Sequence, residues 1–260
     1  MKRFILASLW LLVTILRPIT AQAHFIWIET NPKGEPGANH VVEIYFGEPH
    51  EFLREEAGGR LDQHDGIEAW ALGPKKERTK IDLRKAINLF GGSVIPRNVG
   101  RYNLIAKSMG HEVQDLTPGR GASRPLFFAR TQFLSFEEKR VSEREEEIKE
   151  HLDLDIIPVS KSLDSLSGSI IPKPGDEFVV RVIFKGKPLA SQRVNAFGPN
   201  GWIKELPSTD SWGVTSFVPL WPGRYVLQIS QDETAPGEFK GKRYETLNYR
   251  ATFTMLVNSK

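Results

Sequence analysis

EFVVRVIF, residues Glu177 to Phe184, alternates in a way that only a strand explains. Phe178, Val180, Val182 and Phe184 fall on one side, and side chains two apart share a face of a β-strand. Turn residues Gly186-Lys187-Pro188-Leu189 follow, and a second β-rich run occupies Arg193 to Phe197. Gly198-Pro199-Asn200-Gly201 closes that run. Thr209-Asp210-x-x-Gly213 leads into Val214 to Val218, and Pro222-Gly223 into Arg224 to Ile229. Asn248 to Val257 ends the chain. Short strands recurring every 8–12 residues or so with Gly/Pro turns predict an antiparallel sandwich.

The first half repeats this grammar without repeating the sequence. His40 to Phe46, Gly66 to Leu72, Gly100 to Lys107 and Pro125 to Leu134 read as strands. Pro74 to Lys85 is highly charged and reads as a solvated loop or edge; Gly91-Gly92 and Gly119 to Gly121 read as turns. Ser135 to Leu152 lacks Gly and Pro, and Leu134, Val141, Ile148 and Leu152 mark one apolar stripe. Ser135 with Glu138 forms a capping-box pattern. The expected fold is mainly β: two antiparallel, Ig-like β-sandwich parts, residues 24–134 and 153–260, joined by a short amphipathic helix at 135–152.

Residues 1–23 read as a signal peptide. Met1-Lys2-Arg3 precedes an apolar run from Phe4 to Leu16, and Ala21-Gln22-Ala23 supplies the small residues of a cleavage site. The run is shorter than the roughly 20 residues that cross a bilayer. No second such run follows, so no membrane span is expected after cleavage. The expected product is exported, and periplasmic in a Gram-negative source. Of 35 basic residues three lie in this segment, which has no acid, leaving 32 against 32 acids. Net charge therefore makes no case for nucleic acid. With no cysteine, thiolate chemistry, disulfides and iron–sulfur clusters are excluded.

Cleavage after Ala23 makes His24 the first residue. Its α-amino nitrogen and imidazole Nδ1 can then chelate one ion, and a second imidazole would complete a histidine brace. Such nitrogen donors suit copper and nickel and accept cobalt or zinc. Candidate partners are Glu48 and His50 in a loop after the first strand, His64 before the next strand, and His111 in a loop after Gly110. His40, which begins a strand, is a further possible partner, with an exposed histidine as the alternative for each of these; His151 sits in the expected helix and reads as a surface residue. Trp27, Trp70, Trp202, Trp212 and Trp221 read as core and turn packing, with sugar stacking as the alternative. Glu55 and Glu56, adjacent in a strand, would point to opposite faces. G-x-S-x-G, S-x-x-K with its partner motifs, H-E-x-x-H and a Gly-rich phosphate loop are all missing, so no hydrolase or transferase activity is expected.

Ala23-His24-Phe25-Ile26-Trp27-Ile28, then Tyr45-Phe46-Gly47-Glu48, then Pro174-Gly175-Asp176 and the run from Val179 to Leu189 form a recognisable set. With Thr209-Asp210, Pro222-Gly223-Arg224-Tyr225 and Tyr249-x-Ala251-Thr252, it resembles a bacterial exported domain-of-unknown-function family. That family is described as the periplasmic component of cobalt or nickel uptake. The resemblance runs over most of residues 23–258 and implies two β-rich parts, a metal-handling role and His24 as a ligand. It implies a partner too, an inner-membrane metal transporter component. Relatives often carry histidines near the positions of Gln231 and Asn248, where this chain has amides. The connecting helical stretch is also shorter here. The leading expectation is a non-catalytic nickel, cobalt or copper binding protein for uptake or delivery. A structural or carbohydrate- or protein-binding β-sandwich module is the alternative, and a histidine-brace copper oxidase stands third.

Overall fold

The structure is a computed structural model that describes residues 24–51, 53–115, 121–136, 152–159 and 171–259. The expected signal peptide and residues 137–151 of the expected helix lie outside the described residues. Strands of four or more residues are numbered here along the chain. They are β1 (Phe25–Thr30), β2 (His40–Glu48), β3 (Glu68–Leu72), β4 (Arg78–Ile81), β5 (Phe90–Val94) and β6 (Gly100–Ser108). Then come β7 (Ala122–Ser135), β8 (Leu154–Pro158), β9 (Phe178–Phe184), β10 (Val214–Phe217), β11 (Gly223–Phe239) and β12 (Lys242–Val257). The fold is mainly β, with several antiparallel sheets.

Three sheets form. The first runs β1-β2-β5 and continues to the short pair at Arg84–Lys85. The second is ten-stranded, and its path from β11 runs β12-β7-β6-β3-β4. The third centres on β9, flanked by β8 and β10. The second sheet crosses the expected boundary at 135–152, because β7 from the first half pairs with β12 from the second. That pairing is parallel, from Ser123 opposite Thr246 to Thr131 opposite Thr254.

The residues of β7 explain why the halves share this sheet. Phe127, Ala129 and Phe133 pack with Ile26, Ile28, Val42, Ile44 and Phe46 of the first sheet. Leu126 and Phe128, on the opposite face, pack with Leu154, Ile156, Val180 and Val182 of the third. A strand buried on both faces needs an apolar run, which β7 has from Pro125 to Ala129 and a half-solvated strand would not. Arg130, which follows that run, is fully buried. Its Nε and one terminal nitrogen donate to both carboxylate oxygens of Asp155 on β8, at 2.9 and 2.7 Å, and the other nitrogen donates to Asn103.

Two local expectations change. Ser135, expected as a helix cap, is the last residue of β7; Leu134 N–H and Phe136 N–H donate to the carbonyls of Pro32 and Gly34. Gly91 and Gly92, expected as a turn, lie inside β5 opposite Glu43 and Val42. A Cβ on Gly92 would come within 2.7 Å of Ile81 and 2.8 Å of the Asp82 carbonyl, so glycine serves close packing there. The charged stretch at Pro74 to Lys85 carries β4 on the edge of the large sheet, with Arg78, Thr79 and Lys80 exposed. Among the described residues no helix is long and apolar enough to cross a membrane.

Candidate metal centre

The register of β1 on β2 builds the site. Phe25 pairs with Gly47 and Ile26 with Phe46, so His24 comes level with Glu48 on the core-facing side. The two meet: His24 Nδ1 lies 3.3 Å from Glu48 Oε1. Gly47 then lets the chain double back. Its φ is +147°, and a Cβ would fall 2.1 Å from the Leu53 carbonyl oxygen. The returning Leu53–Arg54 pairs with Gly47–Glu48, and Glu55 N–H donates to the Phe46 carbonyl. That places Glu55 Oε1 2.6 Å from His24 Nε2. Arg60 also reaches Nε2, at 3.2 Å.

The proton arrangement follows from these contacts. A carboxylate only accepts, so His24 donates its Nε2 proton to Glu55. A neutral imidazole would then turn a bare Nδ1 toward the Glu48 carboxylate, acceptor against acceptor. A proton or a cation between them relieves that clash. The 3.3 Å separation matches two ligands of one tetrahedral ion, about 3.4 Å for bonds near 2.1 Å. Glu48 is 2% exposed and its Oε2 has no hydrogen-bond partner. Burial raises its pKa, opposed by the charge of His24 and reinforced by that of Glu51.

Two further histidines stand on the same side. The turn at Arg60–His64 tucks His64 into full burial, with its ring 4.0 Å from Phe46 and 4.9 Å from Phe127. His64 Nδ1 bonds Ser108 Oγ at 2.8 Å, while Nε2 is buried without a partner. His111 Nδ1–H donates to the Glu112 carbonyl, which leaves Nε2 as the bare nitrogen. Its ring lies 5.4 Å from His64 and 6.0 Å from Phe46. Burial lowers both pKa values, to about 3 for His64 and about 4 for His111. Both imidazoles are therefore neutral at pH 7, the form that ligates metal.

Glu48, His50 and Glu51 form the group of three whose ligand atoms lie within 4.8 Å of one another among the described residues. His50 Nε2 is 3.8 Å from each carboxylate, and its ring packs 4.9 Å from Phe197. The five residues expected as ligands thus occupy one neighbourhood, with Phe46 between His24 and the His64–His111 pair. His40 lies at the far end of β2, stacked on Phe133 and bonded to Thr30. Glu55 was not expected to face His24; nothing in the sequence links positions 24 and 55 before the doubling back at Gly47 is known.

The C-terminal strand supports His24 from behind. Arg250 on β12 donates to the His24 carbonyl at 3.1 Å and to Gln114 at 3.2 Å, and its Nε donates to Asn248 Oδ1. Asn248 in turn donates to Asp232. The amide at 248 therefore serves as the bracket for Arg250. Among the tryptophans, Trp27 is buried on Tyr45, and Trp202 packs on Phe217 and Tyr225, while Trp212 is 68% exposed.

No curated protein matches this chain. A family model described as "Domain of unknown function (DUF4198)" matches residues 21–233, a span that includes His24, Glu48, His50, Glu55, His64 and His111. The chain belongs to the DUF4198 family of domains of unknown function.

Proposed function

We infer that this chain is a non-catalytic binding protein for a nickel, cobalt or copper ion, centred on His24 once residues 1–23 are removed. One observation carries the reading: His24 sits between two carboxylates, with Nε2 2.6 Å from Glu55 and Nδ1 3.3 Å from buried Glu48. Metal-bound histidines commonly donate their other N–H to a carboxylate, which fixes the ring and raises its basicity. The freed α-amine would chelate together with Nδ1, and Glu48 would supply an anionic oxygen. His64 and His111 offer two more neutral imidazoles close by, and the unpartnered Nε2 of His64 fits such a role. Nitrogen-rich donors favour the later first-row ions over magnesium or calcium. Export, to the periplasm in a Gram-negative source, rests on the signal-like residues 1–23, and delivery to an inner-membrane metal transporter component rests on the family resemblance.

The test compares protein beginning at His24 with the same chain carrying one extra alanine ahead of it. Calorimetry with copper, nickel, cobalt and zinc should give a tight ion in the first form and lose it in the second. Equal affinity in both would remove the α-amine from the site and the reading with it.

A further inference from the structure

We propose a second, outer cation site made by Glu48, His50 and Glu51, which shares the Glu48 carboxylate with the His24 site. Its geometry does not depend on the inner site; its role as an antechamber does rest on that reading. Glu48 faces two ways. Oε1 lies toward His24 Nδ1, and Oε2 lies 3.8 Å from His50 Nε2. Oε2 is buried and accepts no hydrogen bond, although Glu48 is almost wholly out of solvent. A buried oxygen with no hydrogen bond of its own calls for a partner, and a cation supplies one. At 3.8 Å the imidazole is too far to be a hydrogen-bond donor. It is within a few tenths of an ångström of the ligand–ligand spacing around one ion, about 3.4 Å. His50 Nδ1 is likewise buried and without a partner, so no hydrogen bond competes for this ring. Glu48 ends β2, the turn at Pro49–Glu51 brings His50 and Glu51 beside it, and Phe197 packs against the imidazole.

The donor set is two carboxylates and one imidazole, harder than the nitrogen-rich inner set, so it takes a divalent first-row ion more weakly. Exposure rises outward, from 2% at Glu48 to 22% at His50 and 48% at Glu51. An ion arriving from solvent meets Glu51 and His50 first. It then passes inward as Glu48 exchanges one carboxylate oxygen for the other. Carboxylate-bridged ions in two-metal sites lie about 3.5–4 Å apart, a span one Glu side chain bridges.

The experiment uses the full chain beginning at His24, titrated with Co2+ and followed by calorimetry and visible absorption. Two ions per chain are expected, one weaker than the other. His50→Ala should abolish or weaken the weaker one by at least about tenfold and keep the tighter one. Glu51→Gln, which removes one charge from a half-exposed side chain, should do the same. The alanine-extended chain should lose the tighter ion and keep the weaker. A single ion lost on alanine extension and untouched by His50→Ala overturns the outer site while leaving the His24 reading intact. A single ion lost in His50→Ala and kept in the extended chain supports the outer site and removes the His24 reading. Two ions unchanged by His50→Ala and Glu51→Gln would also overturn the proposal.

Discussion

Acid should loosen this fold through two histidines. His64 and His111 are buried and neutral, with pKa values of about 3 and about 4. In the unfolded chain each imidazole titrates near its ordinary value of 6.5. Between those limits the unfolded state holds protons that the native state refuses. Stability is therefore full above pH 6.5 and falls as pH drops through the window toward 4 and then 3. At pH 5, one and a half units into the window, each histidine costs about 2 kcal/mol at roughly 1.4 kcal/mol per unit. The physical obstacle is visible at His64: an imidazolium would carry an Nε2–H with no acceptor among its neighbours. Urea denaturation of metal-free protein at pH 7, 6 and 5 measures the slope. Other groups titrate too, Glu48 in the opposite sense, so the decisive quantity is the difference between wild type and His64→Phe. Phenylalanine suits a site lined by Phe46 and Phe127 and has no proton to gain. The variant should lose about 2 kcal/mol less than wild type between pH 7 and pH 5. Equal slopes in the two proteins would refute the reasoning, whatever the absolute stabilities.

Glu48→Gln should raise the stability of the metal-free protein at pH 7 by about 1–2 kcal/mol, since it removes a buried charge whose Oε2 is unpartnered, and should weaken metal binding; thermal melts with and without Ni2+ show whether the two effects have opposite signs. Asp155→Ala leaves the fully buried Arg130 guanidinium without its counter-ion and should cost about 3–5 kcal/mol by urea denaturation. Gly47→Ala drives a Cβ into the Leu53 carbonyl at a positive φ and should cost about 3 kcal/mol, with loss of metal affinity as Glu55 moves off His24. Calorimetry on that variant at a temperature where it stays folded separates the two losses.

Much of the fold was legible because strands that face solvent on one side announce themselves by alternation. His40 to Phe46 and Glu177 to Phe184 lie almost wholly within observed strands. β1 was not read as a strand: FIWIET is apolar without alternation, since Ile26 and Ile28 enter one core while Trp27 packs against Tyr45 and Val226 on the other face. The arm of β11 and β12 beyond Ser230 was also missed. Pro236, Gly237 and Gly241 are residue types that usually interrupt strands, yet pairing continues through a bulge between Thr234 and Gly237 to a turn where Lys240 and Gly241 both have positive φ. Two separate sandwiches were expected because local patterning cannot reveal that β7 serves two cores. In the site, histidines stood out as rare and chemically specific residues. Glu55 and Arg250 did not, because their relation to His24 exists only after long-range pairing.

That pairing reaches from one end of the chain to the other. Arg250 holds the carbonyl of His24, and Thr252 holds that of Ile26, across 226 residues of sequence in each case. Closing such a loop is slow in entropy terms and comes late in folding. His24 is thus fastened by a strand 226 residues further along the chain. A chain that lacks β12 has no fastened His24, whatever else of it has folded. Under the proposed function, such an incomplete chain would be a poor ion trap through the order of assembly alone.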